Sequence, residues 1–589
     1  MLVFMKNRFA IILTLSLAVS SCSFLDVEPQ VICSETFYNS ESEVLSGLAG
    51  VYGVMSNEPF YGNYYSIMCS NVDDLCYYNR ATTSNYTQVY GHDATSTEVY
   101  AAWTEIYKGI RNANAFMEAV SKTDFDEDQM YYSEARFLRA YYHFLLAQAW
   151  GDVPLKDKAA TSVDDVMCAA TSQYEVLKWA ADEMEACIPY ADSTFVNTPS
   201  RINRNIIRGI LSRVYLFMGG ESVSGADRKE CFRRAMCHAD TVIMSGHHRL
   251  NPEYSKVFIN MIEDKYDTEF NESMWEVDFL GNRQSADSWS NGRIGDVIGL
   301  MSSGSDNYGS FECNYSYAQY NGSLKLWDLY WKEDLTDEQT ALAKTVTDKR
   351  HLWNLPPYNY SGASVKLMTK SSKGEDIIAV QQEIPVSTKK SPYIYGNRIS
   401  DTSVVRLSEE YRMFYDPLAG AGIRNSGKWR REVKYEGVMD SKRLYTGINF
   451  PLLRYSDVLL MYAEASLEYE GTVTRKAYDC VKQVRDRAGV DTRLYKEYNA
   501  ASFRNLVRNE RARELCFEST RKYDLIRWGL FVKEMNDYYR WTIDARWASS
   551  SQAMYARTVG NSVQQKHILL PIPAVELGVN SMLKQNTLW

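Results

Sequence analysis

The sequence predicts a mostly α-helical protein in which helical hairpins form a scaffold and a loop-rich variable lobe contains short strands. Three observations predict this. Apolar residues recur at helical spacing up to about residue 245, and the same periodicity returns after 451. Between them, over 246–450, helical periodicity is weak and Gly, Asn, Ser and Tyr are frequent. A chain of 589 residues also exceeds what one hydrophobic core supports, so either two lobes or one repeat-built body with insertions is expected.

The N-terminus has the pattern of an export signal. Lys6 and Arg8 precede the apolar run 9–19, which is shorter than the ~20 residues of a membrane-spanning helix and fits a signal-peptide core. The run leads to Val-Ser-Ser-Cys22, which resembles a bacterial lipobox. That resemblance implies removal of residues 1–21 and lipidation of Cys22. A plain secretory signal with a cleavage site before a cysteine is the alternative.

Start and stop signals define the N-terminal helices. Ser40 with Glu43, and Ser172 with Glu175, form helix-capping signatures. Gly151 follows a broad apolar face and is expected to end a helix. The other expected elements are helices at about 101–120, 129–148, 207–218, 451–470, 473–488 and 500–518, and an extended tail at 566–589.

The hairpins suggest tetratricopeptide-like pairs, each burying its apolar face against the next, although a strict 34-residue repeat is not visible.

Composition and motif searches argue against several function classes. The formal charge is −9 and no Lys/Arg block is present, so nucleic acid is not an expected partner. The seven histidines are scattered, and the chain has no HExxH, G-x-S-x-G, P-loop or GxGxxG sequence. We therefore expect no catalytic residues, no metal site and no cofactor; whether a structural calcium is present is left open at this point. The 11 cysteines form no CxxC pair, and we expect mostly free buried thiols with one or two disulfides left open.

Several segments carry motifs of one known family. They include W-x-x-x-Y within Trp103–Asn114, the E-A-R-F-L-R-A-Y-Y to W-G-D-V-P-L block of Glu134–Leu155, Asn271–Glu276, the R-x-x-D-V-L-L-x-Y-A-E-A helix of Leu453–Ala465, Val484–Gly489, Glu510–Gly529 and Pro571–Asn586. In this order, and behind a lipobox, they resemble the SusD/RagB family of outer-membrane nutrient-binding lipoproteins. One departure is Ser519-Thr520, where the family commonly has Gly-His.

The resemblance implies a scaffold of tetratricopeptide-like helix pairs with an irregular lobe packed on it. The expected regions are 22–245 (N-terminal helical), 246–450 (variable lobe) and 451–589 (C-terminal helical). It also implies a surface-exposed lipoprotein of the outer membrane, with a SusC-like TonB-dependent transporter as partner. The charged motif residues are expected to form buried or half-buried ion pairs in the scaffold; they are Arg136, Arg139, Asp152, Glu464, Arg485, Glu514, Arg521 and Asp524.

Ligand recognition is expected in the aromatic-rich segments 60–107 and 281–331. An aromatic ring covers the apolar face of a sugar, while Asn, Asp and Arg bond its hydroxyl groups. The predicted ligand residues are Asp74, Tyr77, Tyr78, Arg80, Trp289, Asn291, Arg293 and Tyr308. The competing interpretation is that such aromatics are packing residues, as expected for Trp103 and Tyr107.

Three functions remain open at this point. A glycan-binding lipoprotein that works with a transporter is favoured. The same architecture could bind peptide, or the chain could be a helical scaffold that binds no ligand and only organises a complex.

Overall fold

The computed structural model describes most of the chain from Tyr38 onward. The described residues are 38–80, 86–159, 162, 167–193, 199–279, 290, 292–303, 309–310, 313–331, 348–356, 358–361, 364–367, 383–384, 393–394, 397–398, 405–406, 422–431, 445–542 and 551–589. Cys22 and the signal peptide lie outside these ranges, as do Trp289, Asn291 and Tyr308.

Helices dominate the described structure, which confirms the predicted fold class. The helices are α1 (Glu41–Tyr52), α2 (Thr97–Val120), α3 (Met130–Trp150), α4 (Gln173–Cys187), α5 (Arg204–Met218), α6 (Arg228–Ser245), α7 (Tyr254–Ile262), α8 (Leu324–Trp331), α9 (Lys349–Asn354), α10 (Tyr455–Glu470), α11 (Arg475–Arg487), α12 (Ala500–Leu515), α13 (Arg521–Arg527), α14 (Phe531–Thr542), α15 (Ser551–Ser562) and α16 (Ala574–Val579). Short 3₁₀ turns lie at Gly53–Ser56, Thr87–Val89, Tyr495–Glu497 and Gln565–Ile568, and π-type turns at Glu58–Gly62 and Tyr64–Cys69.

Helices begin and end where the sequence places caps. Ser40 Oγ accepts the Glu43 N–H at the start of α1 (3.3 Å), and Ser172 Oγ accepts the Glu175 N–H at the start of α4 (3.4 Å). Each bond satisfies an N–H group that has no partner inside its helix. Helix α3 stops at Gly151, whose φ of 81° is accessible to glycine at little cost.

Neighbouring helices pack against one another along the chain. Helix α2 contacts α3, α3 contacts α4, and α5 contacts α6. Helix α6 also contacts α10, so the N-terminal and C-terminal helices share one core. The apolar face predicted for α3 is buried in that core; its members are Phe137, Leu138, Tyr141, Tyr142, Phe144 and Leu145.

Short strands tie distant segments together. The strands are β1 (Cys76–Tyr78), β2 (Ser273–Val277), β3 (Ser302–Ser303), β4 (Gly309–Ser310), β5 (Cys313–Asn314), β6 (Tyr320–Gly322), β7 (Tyr358–Ser361), β8 (Ser364–Leu367), β9 (Glu383–Ile384), β10 (Tyr393–Ile394), β11 (Asn397–Arg398), β12 (Val405–Arg406) and β13 (Phe450–Arg454). One sheet has the order β11-β10-β8-β7-β3, and antiparallel pairs join β1 to β6, β2 to β13, β9 to β12 and β4 to β5.

Buried ion pairs fix the C-terminal helices to the rest of the scaffold. Glu514 on α12 lies 3.0 Å from Arg454, 2.6 Å from Arg487 and 3.0 Å from Arg350. Burial alone would raise the pKa of the Glu514 carboxyl, but the charges of Arg487 and Arg454 hold that pKa below its usual range. Removing one member of such a set would leave charge uncompensated in the interior, which costs several kcal/mol.

Most of the charged motif residues form the predicted ion pairs. Arg136 and Arg139 pair with Glu183, Glu464 with Arg527, Arg485 with Glu510, Glu514 with Arg454, Arg521 with Asp74, and Asp524 with Arg511. The prediction for Asp152 is wrong. Its side chain is exposed and accepts the Gln173 N–H (2.8 Å), so it holds the start of α4 instead of an arginine.

The C-terminal segment differs from the extended tail expected at 566–589. It contains a 3₁₀ turn and helix α16. Pro573 directly precedes α16 and has a φ of −58°. Proline has a fixed φ near this value and lacks an N–H, so it is tolerated at a helix start although it disrupts a helix interior. The sequence pattern also did not predict α14 and α15.

The departure at Ser519 has a structural consequence. Its φ is 59°, in the left-handed region that favours glycine. The Ser519 hydroxyl donates to the Ser66 carbonyl (2.6 Å), a bond that glycine could not make. This contact ties the turn before α13 to the N-terminal region.

Eight cysteines whose side chains the structure describes carry free thiols, in line with the expectation of mostly free cysteines. They are Cys69, Cys76, Cys168, Cys187, Cys231, Cys237, Cys480 and Cys516, and all but Cys168 and Cys237 are buried. No helix within the described ranges is both long enough and apolar enough to cross a membrane.

Candidate functional site

The strand pair β1/β6 brings the two aromatic-rich segments together. Tyr77 lies opposite Asn321 and Tyr78 opposite Tyr320, so residues 75–79 run beside residues 319–323. Successive side chains on a strand point to opposite faces. The two tyrosines of β1 therefore have different environments.

Asp74, one of the predicted ligand residues, lies in the interior of the scaffold. Its side chain is fully buried, and its carboxylate accepts from Arg521 Nε (2.8 Å) and Nη2 (2.9 Å) and from Lys325. Burial alone would raise the pKa of Asp74, yet the charges of Arg521 and Lys325 lower it below its usual range. A carboxylate held in this way does not face a ligand.

Tyr77 is likewise interior. It is 0% exposed, and its hydroxyl donates to the Gly422 carbonyl (2.7 Å) and accepts from Asn321 Nδ2 (3.1 Å). The tyrosine thus fastens β1 to segment 422–431 and to β6. Its ring is buried in packing and its hydroxyl group is hydrogen-bonded within the protein. This agrees with the interpretation that some of these aromatics are packing residues.

Tyr78 and Arg80 lie on the other, half-exposed side of β1. The Arg80 guanidinium donates to the Tyr317 carbonyl (2.7 Å) and lies 5.4 Å from the centre of the Tyr317 ring. The Tyr317 ring meets that of Tyr315 edge to face at 4.9 Å. Tyr86, which is 45% exposed, lies close enough to Tyr78 that its ionised form would raise the pKa of Tyr78. We call these five residues the Tyr78–Tyr317 surface.

Charge and burial shape this surface. Burial raises the pKa of Tyr78, and the nearby positive charge of Arg80 partly offsets the effect. The Tyr78 ring also packs edge to face on the buried Tyr320 (6.0 Å), which restricts its orientation. A half-buried ring held by a neighbour loses little conformational entropy when a ligand covers it.

Arg293 does not belong to the surface but contacts a residue that holds Tyr317 in place. Its backbone N–H donates to the Gly62 carbonyl (2.8 Å), and its guanidinium pairs with Asp296 (2.7 Å). The Asp296 carboxylate accepts the Tyr317 N–H (3.4 Å), and its carbonyl accepts the Ala318 N–H (2.9 Å). Arg293 therefore acts on the tyrosines through Asp296, as a positioning residue.

Three members of the surface were not among the predicted ligand residues: Tyr86, Tyr315 and Tyr317. The alternation Tyr315-Ser316-Tyr317-Ala318 was a usable signal, because Ser316 and Ala318 are buried while both tyrosines are half-exposed. Trp289, Asn291 and Tyr308 lie outside the described residues and remain predictions.

An internal chamber does not offer an alternative ligand site. It has a volume of about 60 Å³ and is walled by side chains that include Tyr61, Tyr141, Arg213 and Tyr523. Ligand sites for small molecules measure roughly 300–1,000 Å³. Within the described part of the chain, no three His, Cys, Asp or Glu side chains are placed to hold a metal ion.

Two family models match the two ends of the chain. A model described as "SusD family" matches residues 419–589, and one described as "Starch-binding associating with outer membrane" matches residues 23–216. The chain belongs to the SusD/RagB family. Membership confirms the resemblance drawn from the motifs, and it supports glycan binding and association with the outer membrane.

Individual SusD-like proteins match over nearly their whole length. SusD-like protein P25 of Formosa agariphila is 22% identical, with 96% of this chain and 95% of the relative covered. A SusD homolog from Bacteroides thetaiotaomicron has the same fold (TM-score 0.76, 22% identity, 94% of this chain and 98% of that chain covered). A structure described as a laminarin binding SusD-like protein matches with a TM-score of 0.62 at 17% identity, covering 94% of this chain and all of that one.

Proposed function

We propose that this protein is a surface-exposed lipoprotein that binds a glycan on the Tyr78–Tyr317 surface and delivers it to a SusC-like TonB-dependent transporter. The observation that carries the proposal is the cluster of half-exposed tyrosines beside Arg80 on a SusD-family scaffold. The laminarin-binding relative supports a glycan as the ligand class.

The chemistry of the surface suits a sugar ring. Tyrosine rings stack on the apolar C–H face of a sugar, and their hydroxyl groups and the guanidinium bond its hydroxyl rim. Among the described residues, Arg80 donates only to the Tyr317 carbonyl, so other N–H groups of its guanidinium are left for a ligand. We also propose Trp289, Asn291 and Tyr308 as ligand residues, because their residue types suit a sugar and they lie in the aromatic-rich segment 281–331.

A glycan array probed with protein lacking residues 1–22 tests the ligand class. We expect binding to a restricted set of oligo- or polysaccharides. Screening the same preparation against a peptide library serves as the comparison, because a peptide-binding member of the family would give signal there and none on the glycan array. Signal in neither assay would favour the scaffold interpretation.

We further propose that the protein binds its glycan without cleaving it. The arrangement around Arg80 offers aromatic rings and a cation, whereas glycoside hydrolysis needs two carboxyl groups that flank the scissile bond. The proposed transporter partnership rests on family membership. Co-purification of a barrel transporter with the tagged, lipidated protein from outer membranes tests that partnership.

A further inference from the structure

A second concave site lies between α1 and β2. It is a cleft of about 290 Å³ whose walls include Leu45, Leu48 and Tyr52 of α1, Arg201, and the carboxyl-bearing residues Glu276 and Asp278. The surface of the cleft is mainly apolar. Its lining shares no residue with the Tyr78–Tyr317 surface.

The two carboxyl groups of this cleft are poorly compensated. Glu276 is 5% exposed and accepts from Asn449 Nδ2 (3.2 Å), an amide that also donates to Asp264 (3.0 Å). Asp278 accepts from the Tyr266 hydroxyl (3.1 Å) through Oδ2, while its Oδ1 is buried and accepts no hydrogen bond from the described residues. Burial raises the pKa of Glu276 to about 8 and that of Asp278 to about 6. The nearby hydroxyl groups of Ser273 and Ser200 lower the pKa of Glu276 and of Asp278, respectively, and offset only part of this effect.

Glu276 and Asp278 differ from the buried acids of the scaffold in having no cationic partner among the described residues. Glu464, Glu514 and Asp74 are buried, as Glu276 is, whereas Asp278 is half-buried. Each of the three scaffold acids is paired with arginine or lysine. Within the described chain, neither Glu276 nor Asp278 has a cationic side chain at ion-pair distance. Arg201 lines the cleft, but its guanidinium is engaged by Glu134 (3.3 Å from Nε to Oε2, with a second contact). Buried carboxylates ordinarily need a cation or several donors.

We propose that this cleft binds a small ligand that carries a protonated primary amine on an apolar body. An ammonium group has three N–H donors and no acceptor, which matches the acceptors of Glu276 and Asp278. Leu45, Leu48 and Tyr52 would cover the carbon skeleton. A metal ion fits less well, because no three His, Cys, Asp or Glu side chains of the described structure converge on one point.

Calorimetric titration with phenethylammonium, and with 2-phenylethanol as its neutral counterpart, tests this proposal. We expect one site that takes the amine and rejects the alcohol. Glu276→Gln keeps the size of the side chain but cannot become a carboxylate when the ammonium binds, and should weaken amine binding about tenfold or more, as expected for a lost hydrogen bond to a charged group. Ala49→Trp, at an exposed position of α1 in the cleft wall, should block the site without touching either acid.

Asp182→Asn is the matched control, because Asp182 is an exposed acid on α4 that does not line the cleft. It should bind the amine like the wild type. Equal binding of the alcohol and the amine would overturn the proposal. So would unchanged amine binding in both Glu276→Gln and Ala49→Trp, or no binding of the amine by the wild type at millimolar concentration.

Discussion

Replacing Asp74 by alanine should destabilise the protein and leave the glycan affinity of the folded molecules unchanged. The substitution removes the carboxylate that Arg521 contacts at 2.8 and 2.9 Å and that Lys325 also contacts. Removing one partner of a buried ion pair costs about 3–5 kcal/mol. Lys325 keeps Glu534 at 2.6 Å, so we expect the lower end, about 3 kcal/mol.

Urea unfolding followed by tryptophan fluorescence measures this loss in the free energy of unfolding. Asp182→Ala is the control, because Asp182 pairs with Lys178 at 2.6 Å while both side chains are more than half exposed. Exposed pairs of this kind contribute about 0.5 kcal/mol or less. Equal unfolding midpoints for Asp74→Ala and Asp182→Ala would refute the reasoning. Lost glycan affinity at unchanged stability would instead restore Asp74 as a ligand residue.

Other predictions concern the membrane anchor, the pH dependence and catalysis. Cys22→Ala should leave the protein unprocessed or released, and an unchanged mass and membrane fraction would contradict lipidation. Burial alone would raise the pKa of Glu464, but Arg527 lowers that pKa to about 2. The ionised Glu464 therefore stabilises the fold fully above pH ~4.3, and this stabilisation disappears as the pH falls toward 2. Glu464→Gln should make the free energy of unfolding depend less on pH in this acidic range. Burial raises the pKa of Glu276 to about 8, so the free energy of unfolding falls as the pH rises from ~4.3 to 8. Glu276→Gln should raise the free energy of unfolding at pH 8 and leave it unchanged at pH 4. Equal effects at both pH values would count against the raised pKa. Purified protein should release no new reducing ends from a glycan it binds, and turnover that persists through purification would contradict a purely binding role.

Local signals predicted much of the scaffold. The capping residues Ser40 and Ser172, and the stop at Gly151, define helix ends through contacts within a few residues, so they can be read from sequence. Helix α16 was missed because proline at position 573 is compatible with both an extended chain and a helix start. Asp152 was misassigned because a carboxylate serves a backbone N–H as well as it serves an arginine.

Two members of the candidate surface, Tyr78 and Arg80, were predicted as individual residues, and the other three only at the level of segments. Residue types placed a ligand surface in 60–107 and 281–331, but the direction of each side chain depends on the β1/β6 register, which turns Tyr77 inward and leaves Tyr78 half-exposed. Buried Asp74 pairs with Arg521, which is 447 residues away in sequence. No local pattern identifies such a contact, so tertiary structure was needed to separate scaffold from surface.

Calorimetric titration of single variants with the glycan selected on the array tests the central claim most directly. We expect Tyr317→Ala and Tyr86→Ala each to weaken binding, by about 2 kcal/mol where the ring is a hot spot, with an unchanged thermal midpoint. The matched control is Tyr190→Ala, because Tyr190 is also 45% exposed and lies outside the surface. Its affinity should equal that of the wild type. Normal glycan affinity in both Tyr317→Ala and Tyr86→Ala would contradict the assignment of the ligand to the Tyr78–Tyr317 surface.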